Sequence, residues 1–266
     1  MKKIILMLCV LIGQSMQAAN VEELWCKRGD KRIYGKLYRP DQPKEKMPLI
    51  IISHGFGSSY HAGIPYAEAL VKQGYMVYCF DFCGGGNRSK SDGKTNEMSI
   101  VTEREELKAI LDQLKQRSDV DKSNITLMGE SQGGIVTALA AVDVEKDIRN
   151  IVLFYPAFSI PVDAHRRYPT RADIPEEGEI WGMKLGKCYA EDIYDLNPYE
   201  VIAKFQKPVL IIHGDSDRIV PVGYSDRAAQ TYKNVEYYVL HGIDHGYSGI
   251  SQWLAIQLVQ EYLKKH

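Results

Sequence analysis

The segment "GESQGG", residues 129–134, places a serine between glycines, directly after the apolar run "ITLM". A Gly-x-Ser-x-Gly segment between a predicted strand and a predicted apolar helix is typical of a nucleophile elbow, a sharp turn that exposes the serine hydroxyl. The N-terminus of the following helix favours negative charge that develops beside it. Ser131 is therefore predicted to be a catalytic nucleophile. The alternative is a serine N-cap in a tight glycine turn.

A serine hydroxyl is a weak nucleophile at neutral pH, so it needs a base and an acid that orients the base. His245, in the glycine-bounded loop "HGIDHGYSG", follows the last predicted strand and is the predicted base. The loop "HGDSDRIVP" follows another strand and offers Asp215 and Asp217 as the acid, while Asp244 adjoins the histidine. Spacing alone does not separate Asp215 from Asp217.

Acyl transfer also needs donors for the oxyanion that forms on the substrate carbonyl. Gln132 follows the predicted nucleophile and supplies one backbone N–H. The loop "HGFG" follows the strand-like run "PLIIIS", and its glycines let the backbone approach closely. Phe56, between two of these glycines, is predicted to supply the second N–H. The alternative is that this loop is only a glycine-rich turn.

The order of elements that must position these residues predicts the fold class. Continuous β-branched runs alternate with helical patterns, which indicates parallel βαβ units in an α/β fold with a three-layer, mostly parallel sheet. Two strands around the turn 28–30 predict a leading antiparallel hairpin. The stretch of about 157–201 has no clear strand and is rich in Pro, Asp, Glu, Tyr and Trp. It is predicted to be a small inserted cap, because loops of this length are usually functional or disordered.

Length and charge exclude several classes of function. The 266 residues fit one α/β domain, and the net charge of −1 is mixed along the chain. Nothing in the sequence suggests a basic face for nucleic acid or a polybasic patch for a membrane surface. The predicted chemistry needs no cofactor and no metal. A homodimer is allowed but is not indicated by any residue pattern.

The N-terminus has the pattern of a secretory signal peptide. Two lysines precede an apolar run too short to span a bilayer, and small residues follow at Ala18 and Ala19. Residues 1–19 are thus predicted to be removed, leaving a hydrolytic domain of 20–266 that is secreted or periplasmic and has no stable membrane association. The alternative is an uncleaved membrane anchor. An oxidising compartment permits disulfides, but the sequence leaves open any pairing of the four remaining cysteines: Cys26, Cys79, Cys83 and Cys188.

Five segments together resemble the α/β-hydrolases and, more narrowly, the bacterial cinnamoyl (feruloyl) esterases: "ISHGFGSS", "FDFCGGGNRSKSDG", "GESQGG", "KPVLIIHGDSDRIVP" and "LHGIDHGYSG". The resemblance covers nearly all of the chain after the predicted signal peptide. It implies the α/β-hydrolase fold, a triad of Ser131, Asp217 and His245, and oxyanion donors at Phe56 and Gln132. The "GGGNRSKSDG" loop departs from the shorter Gly-His-Gly-x-Ser form of many relatives, so the shape of that edge of the site stays open.

The resemblance also implies a cap that closes over the aromatic acyl group of the substrate. Trp181, Tyr189 and Tyr194 are the candidates for ring stacking or for a phenol hydrogen bond, and the alternative is that they pack the cap onto the core. The implied activity is that of a secreted serine carboxylesterase that cleaves hydroxycinnamate (feruloyl-type) esters through an acyl-enzyme. The implied partner is a small-molecule or polysaccharide-linked aromatic ester substrate. The alternatives are a short-chain acyl or acetyl esterase or thioesterase, and an inactive hydrolase fold that serves as a binding module.

Overall fold

The fold was determined from a computed structural model of the chain, which describes residues 20–266. The predicted signal peptide, residues 1–19, lies outside the described residues. The strands are β1 (Asn20–Arg28), β2 (Lys31–Arg39), β3 (Met47–Ser53), β4 (Met76–Phe80), β5 (Val120–Glu130), β6 (Asn150–Phe154), β7 (Glu177–Ile180), β8 (Met183–Gly186), β9 (Val209–Gly214) and β10 (Val235–Leu240). The helices are α1 (Ile64–Leu70), α2 (Ile100–Leu114), α3 (Gln132–Asp143), α4 (Ile160–Arg167), α5 (Cys188–Glu191), α6 (Pro198–Ile202), α7 (Gly223–Thr231) and α8 (Gly249–Lys265).

Eight of these strands form one sheet in the order β1-β2-β4-β3-β5-β6-β9-β10. β1 and β2 form the predicted antiparallel hairpin, and β2 joins β4 in antiparallel register. From β4 to β10 every neighbouring pair is parallel. The strands of a parallel sheet are apolar on both sides, so helices pack on both faces and bury this apolar surface. The architecture is the predicted three-layer α/β-hydrolase fold.

The β-branched run of β3 shows how the two faces are covered. Leu49 and Ile51 pack into the cluster that contains residues of α2, α3, α6 and α7. Ile50 and Ile52 point the other way, into the cluster with α1 and α8. Since successive side chains of a strand alternate between faces, a continuous apolar run buries both. This central strand is therefore fixed between two hydrophobic layers.

The parallel direction of β5, β9 and β10 decides where the predicted site residues lie. The residues that follow the C-terminal ends of such strands gather at one edge of the sheet, and ligand sites of open α/β sheets form there. Ser131 directly follows β5, Asp217 follows β9, and His245 follows β10. The topology alone brings these three residues to a common edge, although Ser131 and His245 are 114 positions apart in the chain.

A cap lies between β6 and β9 and consists mainly of α4, the hairpin β7–β8 and α5. The hairpin corrects the expectation that this stretch contains no strand. Each of its strands has only four residues, "EGEI" and "MKLG", and the turn residues are Trp181 and Gly182 rather than an Asn-Gly pair. A run this short is weak evidence for a strand in a sequence.

Within residues 20–266, no helix has both the length and the apolar character that crossing a membrane requires. The four cysteines of this range carry free thiols. Cys26, Cys79 and Cys83 are buried, and Cys188 is partly exposed.

Candidate active site

Ser131 occupies a strained turn between β5 and α3. Its backbone has φ 51° and ψ −115°, a conformation that costs a residue with a side chain on the order of 1–3 kcal/mol. The flanking glycines are required by close backbone contacts. A Cβ on Gly129 would lie 2.2 Å from the carbonyl oxygen of Gly133, and a Cβ on Gly133 would lie 2.4 Å from that of Ser53. The "GESQGG" segment thus has the geometry of a nucleophile elbow.

His245 and Asp217 complete a hydrogen-bonded series with this serine. His245 Nε2 lies 3.0 Å from Ser131 Oγ, and His245 Nδ1 lies 2.7 Å from Asp217 Oδ2. The second carboxylate oxygen of Asp217 accepts the backbone N–H groups of Ile219 and Val220 at 2.9 and 2.8 Å. The structure therefore brings together the three residues that the sequence predicted as a triad.

A second imidazole also holds Asp217. His213 Nε2 lies 3.1 Å from Asp217 Oδ2 and 2.9 Å from the carbonyl oxygen of Val220. Both neighbours are acceptors, so this nitrogen must carry the proton, while Nδ1 faces the Ser225 hydroxyl at 2.7 Å. Burial acts to raise the pKa of Asp217, but hydrogen bonds from His213, His245 and Val220 outweigh it and hold the pKa well below its usual range.

The other two candidate acids lie outside this series. Asp215 faces the His241 ring at 2.8 Å and accepts the Gly242 N–H at 2.7 Å. Asp244 pairs with Arg218, whose Nε donates to its carboxylate at 2.7 Å. Each carboxylate is thus paired with residues of the other loop, Asp215 with the loop after β10 and Asp244 with the loop after β9.

The predicted oxyanion donors flank the serine hydroxyl. Gln132 is the first residue of α3, so its N–H has no partner inside the helix. Gly55 lies against the serine, since a Cβ on Gly55 would be 3.2 Å from the Ser131 Cβ, and Phe56 follows it. Within residues 20–266, neither the Phe56 nor the Gln132 N–H donates to a protein acceptor. Two unused donors next to a nucleophile are what an oxyanion hole requires.

His54 anchors the loop that carries Phe56. Its Nδ1 donates to the Gly55 carbonyl oxygen at 2.7 Å, and its Nε2 accepts the Phe82 N–H at 3.0 Å. Burial lowers the pKa of His54, which keeps the ring neutral, as one donor and one acceptor nitrogen demand. The N–H of Gly57 donates to the Gly85 carbonyl oxygen at 3.1 Å and ties the same loop to the segment after β4.

The "GGGNRSKSDG" loop forms the wall behind this oxyanion loop. A Cβ on Gly86 would lie 2.9 Å from the backbone carbonyl carbon and oxygen of Gly57. Gly84 has φ 66°, and a Cβ there would lie 2.2 Å from the Lys94 carbonyl oxygen. These glycines allow two backbone segments to touch, so the loop supports the shape of the site through contact rather than through a side chain.

A pocket of about 540 Å³ opens at Ser131 and Gln132 and extends beneath the cap. Its lining includes Ile160, Ile180 and the aromatic rings of Phe56, Trp181 and Tyr189. Six charged residues also line it: Asp163, Arg166, Arg167, Glu179, Lys187 and Arg218. The volume lies within the usual range of small-molecule sites, and apolar surface makes up the larger part of the lining, as is common in such sites.

Two of the three cap aromatics that the sequence predicted do line the pocket. Trp181 is 73% exposed at the tip of the β7–β8 hairpin, with its ring 5.7 Å from that of Phe56. The Tyr189 ring also lies 5.7 Å from Phe56, and its hydroxyl donates to Gln132 Oε1 at 2.7 Å. The Tyr189 hydroxyl is thus engaged by the protein.

Tyr194 lies outside the pocket lining, and its position corrects the sequence-based expectation for this residue. Its hydroxyl donates to the Tyr168 carbonyl oxygen at 2.8 Å, and its ring packs 4.0 Å from the His165 ring. Its contacts hold the cap together internally.

Sequence reasoning missed two residues that adjoin the triad. The ring of Tyr155, at the end of β6, packs edge-on 4.7 Å from the His245 ring, and its backbone has φ 35°. Glu130, next to Ser131, is buried, and burial raises its pKa to about 7 against hydrogen bonds from the Tyr155 and Tyr66 hydroxyls that lower it. Their positions at the C-terminal ends of two central strands were the only available signal.

Comparison with known proteins agrees with this fold. A model of the Hydrolase_4 family, described as serine aminopeptidase S33, matches residues 44–176, half of the chain. The chain belongs to this family. Like other Hydrolase_4 proteins it is an α/β-hydrolase, with relatives of esterase and peptidase type. Across residues 20–266, no group of three or more His, Cys, Asp or Glu side chains could hold a metal ion.

Individual relatives include proteins described as an esterase and as a peptidase. Est1E from Butyrivibrio proteoclasticus, in a structure with bound ferulic acid, superposes with a TM-score of 0.84 and 28% identity over 91% of this hydrolase and 98% of Est1E. YtmA of Bacillus subtilis (strain 168), an uncharacterized peptidase, is 24% identical over 77% of this chain and 78% of its own. YitV of the same organism, provisionally named an esterase, is 26% identical over 71% of this chain and 75% of its own.

Proposed function

We propose that this protein is a serine carboxylesterase that hydrolyses hydroxycinnamate (feruloyl-type) esters. The observation that carries the proposal is the series from Ser131 Oγ to His245 Nε2 at 3.0 Å and from His245 Nδ1 to Asp217 Oδ2 at 2.7 Å. Both distances are within hydrogen-bond reach, the geometric requirement for general acid–base catalysis. The series ends at the mouth of an aromatic-lined pocket, where an ester carbonyl would meet the serine.

In the acylation half of the proposed reaction, Ser131 Oγ attacks the ester carbonyl carbon and its proton passes to His245 Nε2. Asp217 holds the His245 ring with Nδ1 protonated and stabilises the imidazolium that forms. The oxyanion is held by the N–H groups of Phe56 and Gln132. His245 then protonates the leaving alcohol as the tetrahedral intermediate collapses, which leaves an acyl-enzyme on Ser131.

In the deacylation half, water occupies the place of the alcohol. His245 removes a proton from the water, the resulting hydroxide attacks the acyl carbonyl, and the same N–H groups hold the second oxyanion. His245 returns the proton to Ser131 Oγ as the carboxylic acid leaves. The proposed reaction uses no cofactor and no metal.

The acyl group is assigned from the pocket. An apolar cavity with several aromatic edges suits a planar phenylpropenoyl group, because aromatic rings prefer edge-to-face or offset contacts at 4.5–7 Å. The Phe56 ring already makes such contacts with the Trp181 ring and with the Tyr189 ring. The ferulic acid bound to Est1E supports the same acyl class.

The test compares methyl ferulate with p-nitrophenyl acetate as substrates of the wild-type protein. We expect a higher kcat/KM for the ferulate ester. Ser131→Ala should lower kcat by roughly 10⁵–10⁶-fold and abolish labelling by a fluorophosphonate, whereas Ser123→Ala, at an exposed position near the start of β5, should change neither. Turnover of the acetyl ester alone would favour a short-chain esterase, and absence of labelling would favour a binding module.

We further propose that residues 1–19 direct export, so that the enzyme works outside the cytoplasm. The supporting observation is the sequence pattern of this segment, two lysines followed by a short apolar run and small residues. N-terminal sequencing of protein recovered from the medium or periplasm should begin at residue 19 or 20. Recovery of an intact N-terminus in the membrane fraction would support an uncleaved anchor instead.

A further inference from the structure

The side chain of Gln132 is held at both ends in a buried position. Its Nε2 donates to Glu103 Oε2 at 2.8 Å and contacts Met98 Sδ at 3.4 Å. Its Oε1 accepts the Tyr189 hydroxyl proton at 2.7 Å. Gln132 and Glu103 are each 1% exposed, and Tyr189 is 9% exposed. Buried polar groups with every partner satisfied form rigid networks, because losing one bond leaves another group unpaired.

This network joins the core to the cap. Glu103 lies on α2, which packs against the sheet, whereas Tyr189 lies on α5 of the cap. The cap is docked there by further contacts, including a hydrogen bond from the Ser99 hydroxyl to Asp192 at 2.6 Å. The side chain of Gln132 thus links Glu103 of the core to Tyr189 of the cap.

The same glutamine provides one of the two proposed oxyanion N–H groups. Its backbone and its side chain share one Cα, so fixing the side chain at both ends restricts the rotation that aims the N–H. The Tyr189 ring also packs edge-on against Phe56, the residue with the other N–H. One cap residue therefore contacts both oxyanion donors.

We propose that Tyr189 and Glu103 are positioning residues that aim the Gln132 N–H at the oxyanion, so that the oxyanion hole is complete only when the cap is docked. This inference rests on the proposed function. According to this proposal, the cap helps to position the oxyanion hole and also forms a wall of the acyl pocket. The competing role for Tyr189 is recognition of the aromatic acyl group by its ring or hydroxyl.

The two roles differ in their kinetics on two esters. An oxyanion effect acts in the transition state of every ester, so Tyr189→Phe should lower kcat by about 5- to 50-fold on both methyl ferulate and p-nitrophenyl acetate, with KM changed less than about twofold. Acyl recognition predicts a higher KM for the ferulate ester alone, and that result would overturn the proposal. An unchanged kcat on both esters would also overturn it.

A matched control and a double-mutant cycle separate positioning from folding. Tyr199→Phe removes another buried cap hydroxyl, which donates to the Tyr224 carbonyl oxygen at 3.0 Å, and should leave kcat unchanged. Gln132→Met keeps the backbone N–H but removes the amide, so Tyr189→Phe should have no further effect on kcat in that background. Full additivity of the two changes would contradict the proposal.

Glu103 gives an independent readout if the tyrosine variant is unstable. Glu103→Gln keeps an acceptor oxygen and should retain most of the kcat, while Glu103→Met should lose it to the extent that Tyr189→Phe does. Equal kcat values for the two Glu103 variants would contradict the proposal. Failure of the proposed function is distinguishable, because then the wild-type protein itself would cleave neither ester and would not react with a fluorophosphonate.

Discussion

Asp217 is an unusually well satisfied carboxylate for a residue beside a reacting centre. Its two oxygens accept hydrogen bonds from His245, His213 and the N–H groups of Ile219 and Val220. Such bonds favour the charged form, and they keep the pKa of Asp217 well below its usual range despite burial. The carboxylate therefore stays ionised through mildly acid pH, where it can still stabilise a charged His245.

His213 should tune this acid without touching a substrate. His213→Gln removes or weakens one hydrogen bond to the carboxylate, so the pKa of Asp217 should rise and kcat/KM should fall further at acid pH, where Asp217 would lose its charge sooner than in wild type, with kcat about tenfold lower. The measurement is a pH–rate profile on methyl ferulate. His241→Gln is the matched control, since His241 is exposed and pairs with Asp215 outside the site. Identical profiles for the two variants would contradict this role.

Glu130 should make stability depend on pH. In the folded protein burial raises its pKa to about 7, so between about pH 4.5 and 7 the native state binds a proton that the unfolded state has lost. Stability from this group must then fall as pH rises through that window. The difference in the free energy of unfolding between Glu130→Gln and wild type should therefore shift by about 3 kcal/mol in favour of the variant as the pH rises from 4 to 8.

Urea unfolding at the two pH values measures this difference. Glu45→Gln, in an exposed loop, is the matched control for the loss of one carboxyl group. A constant difference between wild type and Glu130→Gln across the pH range would mean that Glu130 is ionised in the folded protein.

The sequence predicted the residues whose role depends on chain position, and it failed where contacts decide. Ser131 and His245 follow strands in recognisable glycine loops, so topology placed them. Asp215 and Asp217 have nearly the same spacing, and only the hydrogen bonds of the loop separate them. For Tyr189 the sequence indicated the pocket, but the partner of its hydroxyl lies 57 positions away, and no local pattern reports such a contact.

Loops that meet through their backbones should be the most sensitive elements around the site. Gly86→Ala places a Cβ within 2.9 Å of Gly57, so the oxyanion loop must shift. A displacement of even a few tenths of an ångström should lower kcat, and we expect a loss of about tenfold or more on both esters. Gly223→Ala is the control, because a Cβ there meets nothing within 4 Å. Wild-type kcat in Gly86→Ala would show that the loop is not held by this contact.

The contribution of the β7–β8 hairpin to substrate binding can be tested at Trp181. Trp181 has φ 49° at the turn, and replacement by glycine relieves about 1 kcal/mol of strain while adding about 1 kcal/mol of unfolded-state entropy. Trp181→Gly should thus change stability little but raise KM for methyl ferulate several-fold, because the ring at the pocket mouth is lost. Trp253→Ala, another exposed tryptophan, on α8, should leave KM unchanged. A large fall in melting temperature in Trp181→Gly would show that the indole is needed for folding.

The strands of the central sheet could be predicted from the sequence, whereas the hairpin inside the cap could not. The β-branched runs of β3, β6 and β9 are long enough to bury on both faces, and the helices between them follow from the parallel topology. The cap strands are short and form no part of that sheet, so their pairing depends on the turn at Trp181 and on contacts with the segment after β4.

In the part of the chain that the structure describes, no disulfide bond stabilises the fold. All four cysteines of residues 20–266 are free, and burial raises the pKa of each thiol. In a protein that begins at residue 20, we expect one thiol, Cys188, to react slowly with Ellman's reagent in the native state and four to react after denaturation. Cys188→Ser should remove the native reaction. Fewer than four thiols after denaturation would indicate a disulfide.

Three residues other than glycine in the range 20–266 have left-handed backbone angles: Ser131, Tyr155 and Trp181. One is the proposed nucleophile, one packs on the proposed base, and one lines the pocket mouth. Backbone strain and the proposed chemistry therefore coincide at Ser131, so selection for heat resistance alone would favour its replacement at the expense of turnover. Laboratory evolution of a more heat-resistant enzyme should succeed on the outer helices and should erode activity when it reaches this serine.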